Sequence, residues 1–391
     1  MSTLRCIRVL ATPSSQLLQC CMSHCGKSSR DPTLPTRDPT LPTIAGFIRT
    51  CAKDDFLLQY ALASLCRFGF PLLSSLTITY APHEAAALAP LLAKHAWIRA
   101  VPSPNDALIQ AAVRSISGRN ASTAAGKSFF APGIGYHAQM IDKLTAPELV
   151  GHGADFILYF DSDNVITRPL RPSDVFASDG RVRLAAVPYH GSFVSFGKMH
   201  ENAWRHRTAF ALGLPDETVT HSFMTRGGGL CYPSWLHAPL RTILEAALGV
   251  SLHRYAAMLL TKTAKDTHGH MVDYEVMGAY LRYVNTSSAK GNGIAWEVVG
   301  DDEASKLQPW PAESRFPLIQ VNSWERHGLS KERQRDYACI LNASDAEANA
   351  RDDRKEFGVH GKLMQDWSSF NGSWCARELT GHWWRRKPFR V

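Results

Sequence analysis

Residues 156–160 read FILYF, five apolar residues in a row, and run directly into Asp161-Ser162-Asp163. An apolar run without polar alternation suits a strand covered on both faces. Such a strand needs a layer of helices above and below it, which points to an α/β fold with a mainly parallel sheet. The rest of the chain repeats that alternation. Residues 44–50 (IAGFIRT) read as a first strand, and 56–68 as a helix with apolar positions at helical spacing, started near 53–55. Strands are expected at 76–80, 98–101, 183–189 and 228–233, and helices at 83–94, 135–144, 236–248 and 271–284. Residues 103–135 are polar and rich in Gly and Ser, and read as a loop.

At 391 residues with 45% apolar and 20% charged residues, the chain has material for a large core. The folded body is expected over 43–330. Residues 1–30 lack Asp and Glu and resemble a transit-type leader. The repeat RDPTLPT, present twice over 30–43, places Pro too densely for helix or sheet and reads as an extended linker. Residues 1–42 are therefore expected to stay outside the body. Residues 331–391, with Trp367, Trp374, Trp383 and Trp384, are expected to pack on it as an extension.

The net charge of +8 invites a nucleic-acid reading, but it lies at the ends. Residues 1–50 carry six Lys/Arg against two Asp, and the tail adds Arg385, Arg386, Lys387 and Arg390. A neutral body with basic ends is not a basic groove, so no nucleic-acid partner is expected. Contact of the ends with an anionic membrane stays open. No run of about 18 apolar residues is present to form a spanning helix. Nine cysteines, an odd number without paired CxxC spacing, form neither a zinc site nor a complete disulfide framework.

The chemistry concentrates at Asp161 and Asp163. Residues two apart in an extended segment share a side, so both carboxylates are expected to converge where ligands bind such sheets, beyond the C-terminal strand ends. Two close carboxylates repel, and a hard divalent cation such as Mg²⁺ or Mn²⁺ resolves the repulsion with oxygen ligands.

The first strand, the helix carrying Gln139, Lys143 and Leu144, the YFDSD strand and the later Asp273-Tyr274-Glu275 together resemble GT-A glycosyltransferases. The likeness extends to glycogenin-like enzymes and to GT-A enzymes without an assigned substrate, and covers roughly 43–330. It implies a Rossmann-type sheet and transfer of a sugar from a nucleoside-diphosphate donor, with a UDP-sugar favoured, to a carbohydrate or glycoconjugate acceptor. Asp161 and Asp163 would hold Mn²⁺ or Mg²⁺ against the diphosphate, with His327 as third ligand. Ser162 and Gln139 would line the donor site, and Lys143 would add positive charge to the diphosphate or sugar. Arg49, Thr50 and Cys51 would touch the base. Arg226-Gly227-Gly228-Gly229 would let backbone approach the sugar. Asp273 or Glu275 would be the base; two residues apart on a helix, they lie about 200° apart, so one faces the site.

Two other readings compete. DSDNV also fits the haloacid-dehalogenase phosphatase motif, with Asp161 as nucleophile, Asp163 as acid/base and Asp301-Asp302 as a late motif. That nucleophile normally follows the first strand of the core, whereas here several strand–helix units come before. A non-catalytic nucleotide-sugar-binding relative is the other alternative. Four Asn-x-Ser/Thr sequons, at Asn120, Asn285, Asn342 and Asn371, favour a Golgi or secretory lumen over the cytoplasm.

Overall fold

The computed structural model describes residues 42–69, 72–118, 133–151, 153–189, 197–223, 230–261, 272–285, 293–298 and 318–320. Its elements, in chain order, are β1 (Ile44–Arg49), α1 (Asp55–Phe68), β2 (Ser75–Tyr80), α2 (Ala85–Leu92), β3 (Ile98–Pro102), α3 (Asn105–Ser117) and α4 (Ile134–Leu144). Next come β4 (Phe156–Asp161), β5 (Asn164–Ile166), β6 (Val182–Pro188), α5 (Gly197–Ala211), β7 (His221–Ser222) and β8 (Leu230–Pro233). The remaining main elements are α6 (His237–Leu248), α7 (Leu252–Leu260), α8 (Asp273–Ala279), β9 (Ile294–Val298) and β10 (Leu318–Gln320), with short one-turn helices at Ala146–Val150 and Pro172–Val175.

The central sheet has the order β3-β2-β1-β4-β8. Its first four strands run parallel, and β8 runs antiparallel to β4 at the edge. All six residues of β1 are buried, as expected of a strand with helices on both faces. A second small sheet, β7-β6-β9, and the β5–β10 pair lie beside it. The α/β architecture with a mainly parallel sheet is thus the one expected from the apolar runs.

Strand order decides where a ligand can enter. From β1 the chain builds outward through β2 and β3, then returns to add β4 on the opposite side of β1. The connections diverge between β1 and β4, and α/β sheets of this order place their ligand crevice at the C-terminal ends of such strands. In the β1–β4 register Arg49 stands opposite Asp161, so both strands end at that crevice.

Alternation along each strand sets which face a residue meets. Phe47 and Tyr159 share one face and pack edge to face at 5.7 Å. Tyr159 also meets Tyr232 and Tyr274, each at 6.1 Å. Arg49 and Asp161 lie two residues further along and emerge on this same face, the one covered by α4 and α8.

Three helices were not legible in sequence. Residues 105–117, expected as loop, form α3, with Ile109 and Val113 buried one turn apart. α7 starts at a Ser251 cap whose hydroxyl accepts from the Arg254 amide at 3.3 Å. α5 is the third; its amphipathic stripe is short of apolar residues. Several expectations lie outside the described residues: the leader through residue 41, Arg226–Gly229, His327, Asp301-Asp302 and the Trp-rich tail.

Candidate active site

The crevice is walled by two turns. One follows β1 at 51–54, and the other joins β4 to β5 at 162–163. The expectation that Asp161 and Asp163 point the same way along one extended segment needs correcting. β4 ends at Asp161, and Ser162 and Asp163 lie in the turn. The turn is closed by the Asp161 amide, which donates to Asn164 Oδ1 at 2.7 Å. The Asn164 amide group reaches Asp163 Oδ1 at 3.4 Å. Ser162 bridges the crevice, donating its hydroxyl to Asp54 Oδ2 at 3.0 Å. It is a fastener between the two walls rather than an open ligand contact. The two carboxylates differ in access: the Asp161 side chain is 29% exposed, and Asp163 is buried.

Lys143 organises the centre. Its ammonium lies 3.0 Å from Asp161 Oδ1, 3.2 Å from Asp273 Oδ2 and 4.1 Å from the centre of the Tyr274 ring. Lys143 is 2% exposed. Burial pulls its pKa down, but the carboxylates of Asp161 and Asp273 overcome that and hold it well above the usual lysine value. It therefore stays charged. The sequence reading gave Lys143 to a ligand; here its charge is taken up by two carboxylates and an aromatic face.

The helix carrying Lys143 is pinned from below. The Tyr159 hydroxyl lies 3.0 Å from the Lys143 carbonyl and 3.1 Å from His237 Nε2. His237 Nδ1 lies 3.1 Å from the Leu144 carbonyl. Burial lowers the His237 pKa to about 4, so the ring is neutral, with Nδ1–H donating to that carbonyl. Two otherwise orphaned carbonyls at the end of α4 are thereby satisfied.

Asp273 and Glu275 part ways. Asp273 joins Lys143, and burial raises its pKa against the opposing pull of Lys143. Glu275 is fully buried on the other side of α8, where it accepts from the Ser222 hydroxyl, from the Phe223 amide at 3.1 Å and from the Tyr189 hydroxyl at 3.3 Å. It anchors α8 to β7, and the 200° separation is resolved in favour of Asp273 at the crevice.

The residues expected to touch a base are otherwise engaged. Arg49 Nη2 donates to Asp106 Oδ2 at 2.8 Å, and Nη1 lies 3.2 Å from Asp142 Oδ2 without hydrogen-bond alignment. Asp142 also accepts from the Ser103 hydroxyl and from Asn105 Nδ2 at 2.6 Å, and Asn105 Oδ1 lies 2.7 Å from His253 Nε2. This buried network ties the end of β1 to α3, α4 and α7. Burial raises the Asp142 pKa to about 6, against the pull of Arg49. Thr50 is buried, and its amide continues the β1–β2 ladder to the Thr79 carbonyl at 3.0 Å. Burial, with Asp54 and Glu84 nearby, pushes the Cys51 thiol up to about 11, so it is no nucleophile. Gln139 lies one turn before Lys143, half-buried.

The donor set suits a hard divalent ion. Asp161 and Asp273 flank Lys143, and the partly exposed Asp161 presents oxygen to the crevice. Mg²⁺ and Mn²⁺ sites commonly use one or two carboxylates and complete the shell with water and substrate phosphates. Among the described residues no group of three or more His, Cys, Asp or Glu is arranged to hold a metal ion. The carboxylates that the β4–β5 turn offers are Asp161 and Asp163.

No family model matches the sequence, and no curated protein matches it. Comparison with solved structures finds these among others. Mouse xyloside xylosyltransferase 1 is 11% identical at a TM-score of 0.33, covering 73% of this chain and 99% of that one. Core-mannan synthase A of Aspergillus fumigatus, in its Mn/GDP form, is 12% identical at 0.32, covering 68% and 81%. The mannosyltransferase Ktr4p of S. cerevisiae, with GDP, is 10% identical at 0.33, covering 73% and 80%. These neighbours are glycosyltransferases.

Proposed function

We propose that this chain is a metal-dependent glycosyltransferase that moves a sugar from a nucleoside-diphosphate donor, a UDP-sugar in the favoured case, to a carbohydrate or glycoconjugate acceptor. One observation carries the reading. Asp161 and Asp163 stand at the divergence of a parallel sheet, where α/β folds bind ligands, and the more exposed one is held by a buried lysine.

In this reading Lys143 fixes the Asp161 carboxylate so that its free oxygen faces the crevice. Ser162 and Asp54 hold the two walls at a set separation. A Mn²⁺ or Mg²⁺ held by Asp161 and Asp163, with His327 as the further ligand the motif resemblance implies, would supply Lewis acidity at the leaving diphosphate. Asp273, with its raised proton affinity, accepts the proton of the acceptor hydroxyl. The phosphatase alternative is disfavoured, because the two carboxylates follow the fourth strand in chain order instead of the first.

The test is thermal stability of the full chain with Mn²⁺ and UDP, GDP, CDP or AMP. The expected result is a Mn²⁺-dependent rise with one diphosphate, absent in Asp163→Asn although that variant folds. No rise with any nucleotide, together with Mg²⁺-dependent phosphomonoester hydrolysis, would replace the transferase with the phosphatase.

The same reading places the protein in a Golgi or secretory lumen. Cys66 is disulfide-bonded, while Cys51 and Cys231 are free thiols. A disulfide and four sequons both suit an oxidising lumen. Among the described residues no single helix is long and apolar enough to cross a membrane. Glycosidase-sensitive mobility of the cellular protein is expected; its absence would count against the lumen.

A further inference from the structure

Arg49 and Asp142 form an ion pair directly beside the one at the centre. Arg49 and Asp161 are paired positions of β1 and β4, and Asp142 and Lys143 are consecutive on α4. Arg49 Nη1 lies 3.2 Å from Asp142 Oδ2, and Lys143 Nζ lies 3.0 Å from Asp161 Oδ1. Two strand ends of opposite charge thus meet two helix positions of opposite charge, cation to anion in both cases. A slip of α4 that put Lys143 in the place of Asp142 would set it against Arg49, a repulsion between like charges out of water. The two pairs differ in access. The Arg49 and Asp142 side chains are 5% and 0% exposed, whereas Asp161 opens to the crevice.

Asp142 is held from three directions. Arg49 reaches it from the end of β1, the Ser103 hydroxyl from just past β3, and Asn105 Nδ2, at 2.6 Å, from the start of α3. Asn105 is tied in turn to His253 on α7 at 2.7 Å. Arg49 does not need Asp142 as a counter-ion, because Asp106 already takes its Nη2 at 2.8 Å. A second buried carboxylate beyond that need is unfavourable unless it does something else. Consecutive helix residues point about 100° apart, so a clamp on Asp142 sets the direction in which Lys143 leaves α4. The centre depends on that direction, because Lys143 must meet Asp161 on one side and Asp273, at 3.2 Å, on the other.

We propose that Asp142, clamped by Arg49 and Asn105, is a positioning residue of the transfer site: it aims Lys143, and through Lys143 the open carboxylate of Asp161. This rests on the transferase reading above and adds to it the device that sets its central lysine.

The experiment labels the amines of the full-length protein with acetic anhydride under native conditions and reads each lysine by peptide mass spectrometry. The exposed Lys53 and Lys94 serve as internal references. Wild-type Lys143 is sealed and should label slowly. In Asp142→Ala, where Arg49 keeps Asp106 as its counter-ion, Lys143 is expected to label at least about tenfold faster. Calorimetric titration with Mn²⁺ and inorganic pyrophosphate should show about tenfold weaker binding in that variant, the size expected when the support of a metal-binding group is lost. Asp142→Asn, which can still accept from Ser103 and Asn105, should restore most of both. Asn105→Ala removes one arm of the clamp without changing any charge, and decides the matter if Asp142→Ala does not fold. It should shift both readouts the same way. Leu88→Ala, a truncation on the buried face of α2, controls for general loss of stability and should move neither. Wild-type labelling or wild-type affinity in Asp142→Ala and Asn105→Ala, or equal exposure of Lys143 in Leu88→Ala, would overturn the inference and leave the transferase reading standing. A wild-type protein that does not bind pyrophosphate with Mn²⁺ would sink both.

Discussion

Removing the ammonium at the centre is the sharpest test of how it is held together. Lys143→Met keeps the length and apolar stem of the side chain but leaves Asp273 buried without its cation. The Asp273 side chain is 9% exposed and that of Lys143 3%, so water screens this pair little. Breaking such a buried pair from one side costs about 3–5 kcal/mol. The Asp161 contact adds less, because that side chain is 29% exposed and re-solvates. The expected loss at pH 7 is therefore about 3 kcal/mol, set mainly by Asp273. Adding Asp273→Asn removes the stranded charge, so the double variant should recover to within about 1 kcal/mol of wild type, a coupling of at least about 2 kcal/mol. Urea unfolding of the four proteins at pH 7 measures this. Repeating it at lower pH should shrink the single-variant loss, because burial already raises the Asp273 pKa and the stranded carboxylate takes up a proton as the pH falls. A Lys143→Met loss under 1 kcal/mol, or strict additivity with Asp273→Asn, would refute the argument that a buried ion triad holds the site.

Other outcomes follow from the same structure. His95, His137 and His237 are buried, and burial lowers each pKa from 6.5 to about 4. A depressed histidine contributes stability that is whole above pH 6.5 and lost as the pH falls toward 4, at most about 3 kcal/mol for each ring. Melting temperature should therefore fall steeply across that window, and a flat profile would contradict it. Asp142 has the opposite sign: its pKa is raised to about 6, so its contribution is whole below pH 3.8 and lost as the pH rises through 6. Asp142→Asn should accordingly steepen the acid loss between pH 6 and 4, by removing the gain that offsets it. Gly278 on α8 has no room for a side chain, since a Cβ there would lie 2.2–2.6 Å from Phe223 atoms. Gly278→Ala should cost about 1–3 kcal/mol by urea unfolding and loosen Asp273 with it.

The local part of this site was readable because it is written in adjacent residues. Five apolar residues followed by two carboxylates announce a strand buried on both faces and a polar turn at its end, and β4 carries both. The 44–50 and 76–80 runs became β1 and β2 for the same reason: burial on a given face depends on the period of the side chains along a few residues. Short amphipathic helices such as α3 escaped because two buried positions, Ile109 and Val113, make too faint a stripe among polar neighbours.

What one residue does with its charge was a different matter. Arg49, Thr50 and Cys51 sit at the strand end where a ligand contact is expected, yet strand pairing and neighbouring carboxylates occupy Arg49 and Thr50. Lys143 and Asp273 are 130 positions apart in the chain, and only the packing of α4 and α8 on one face of β4 brings them within 3.2 Å. Asp273 and Glu275 were equivalent on paper; the helix rotation set by Ser222 and Phe223 separated them. Periodicity and composition decide which residues leave water, because the hydrophobic effect is local and non-directional. Which charges meet is decided by strand order and helix packing, because Coulomb attraction in a desolvated interior depends on distances that no stretch of sequence contains.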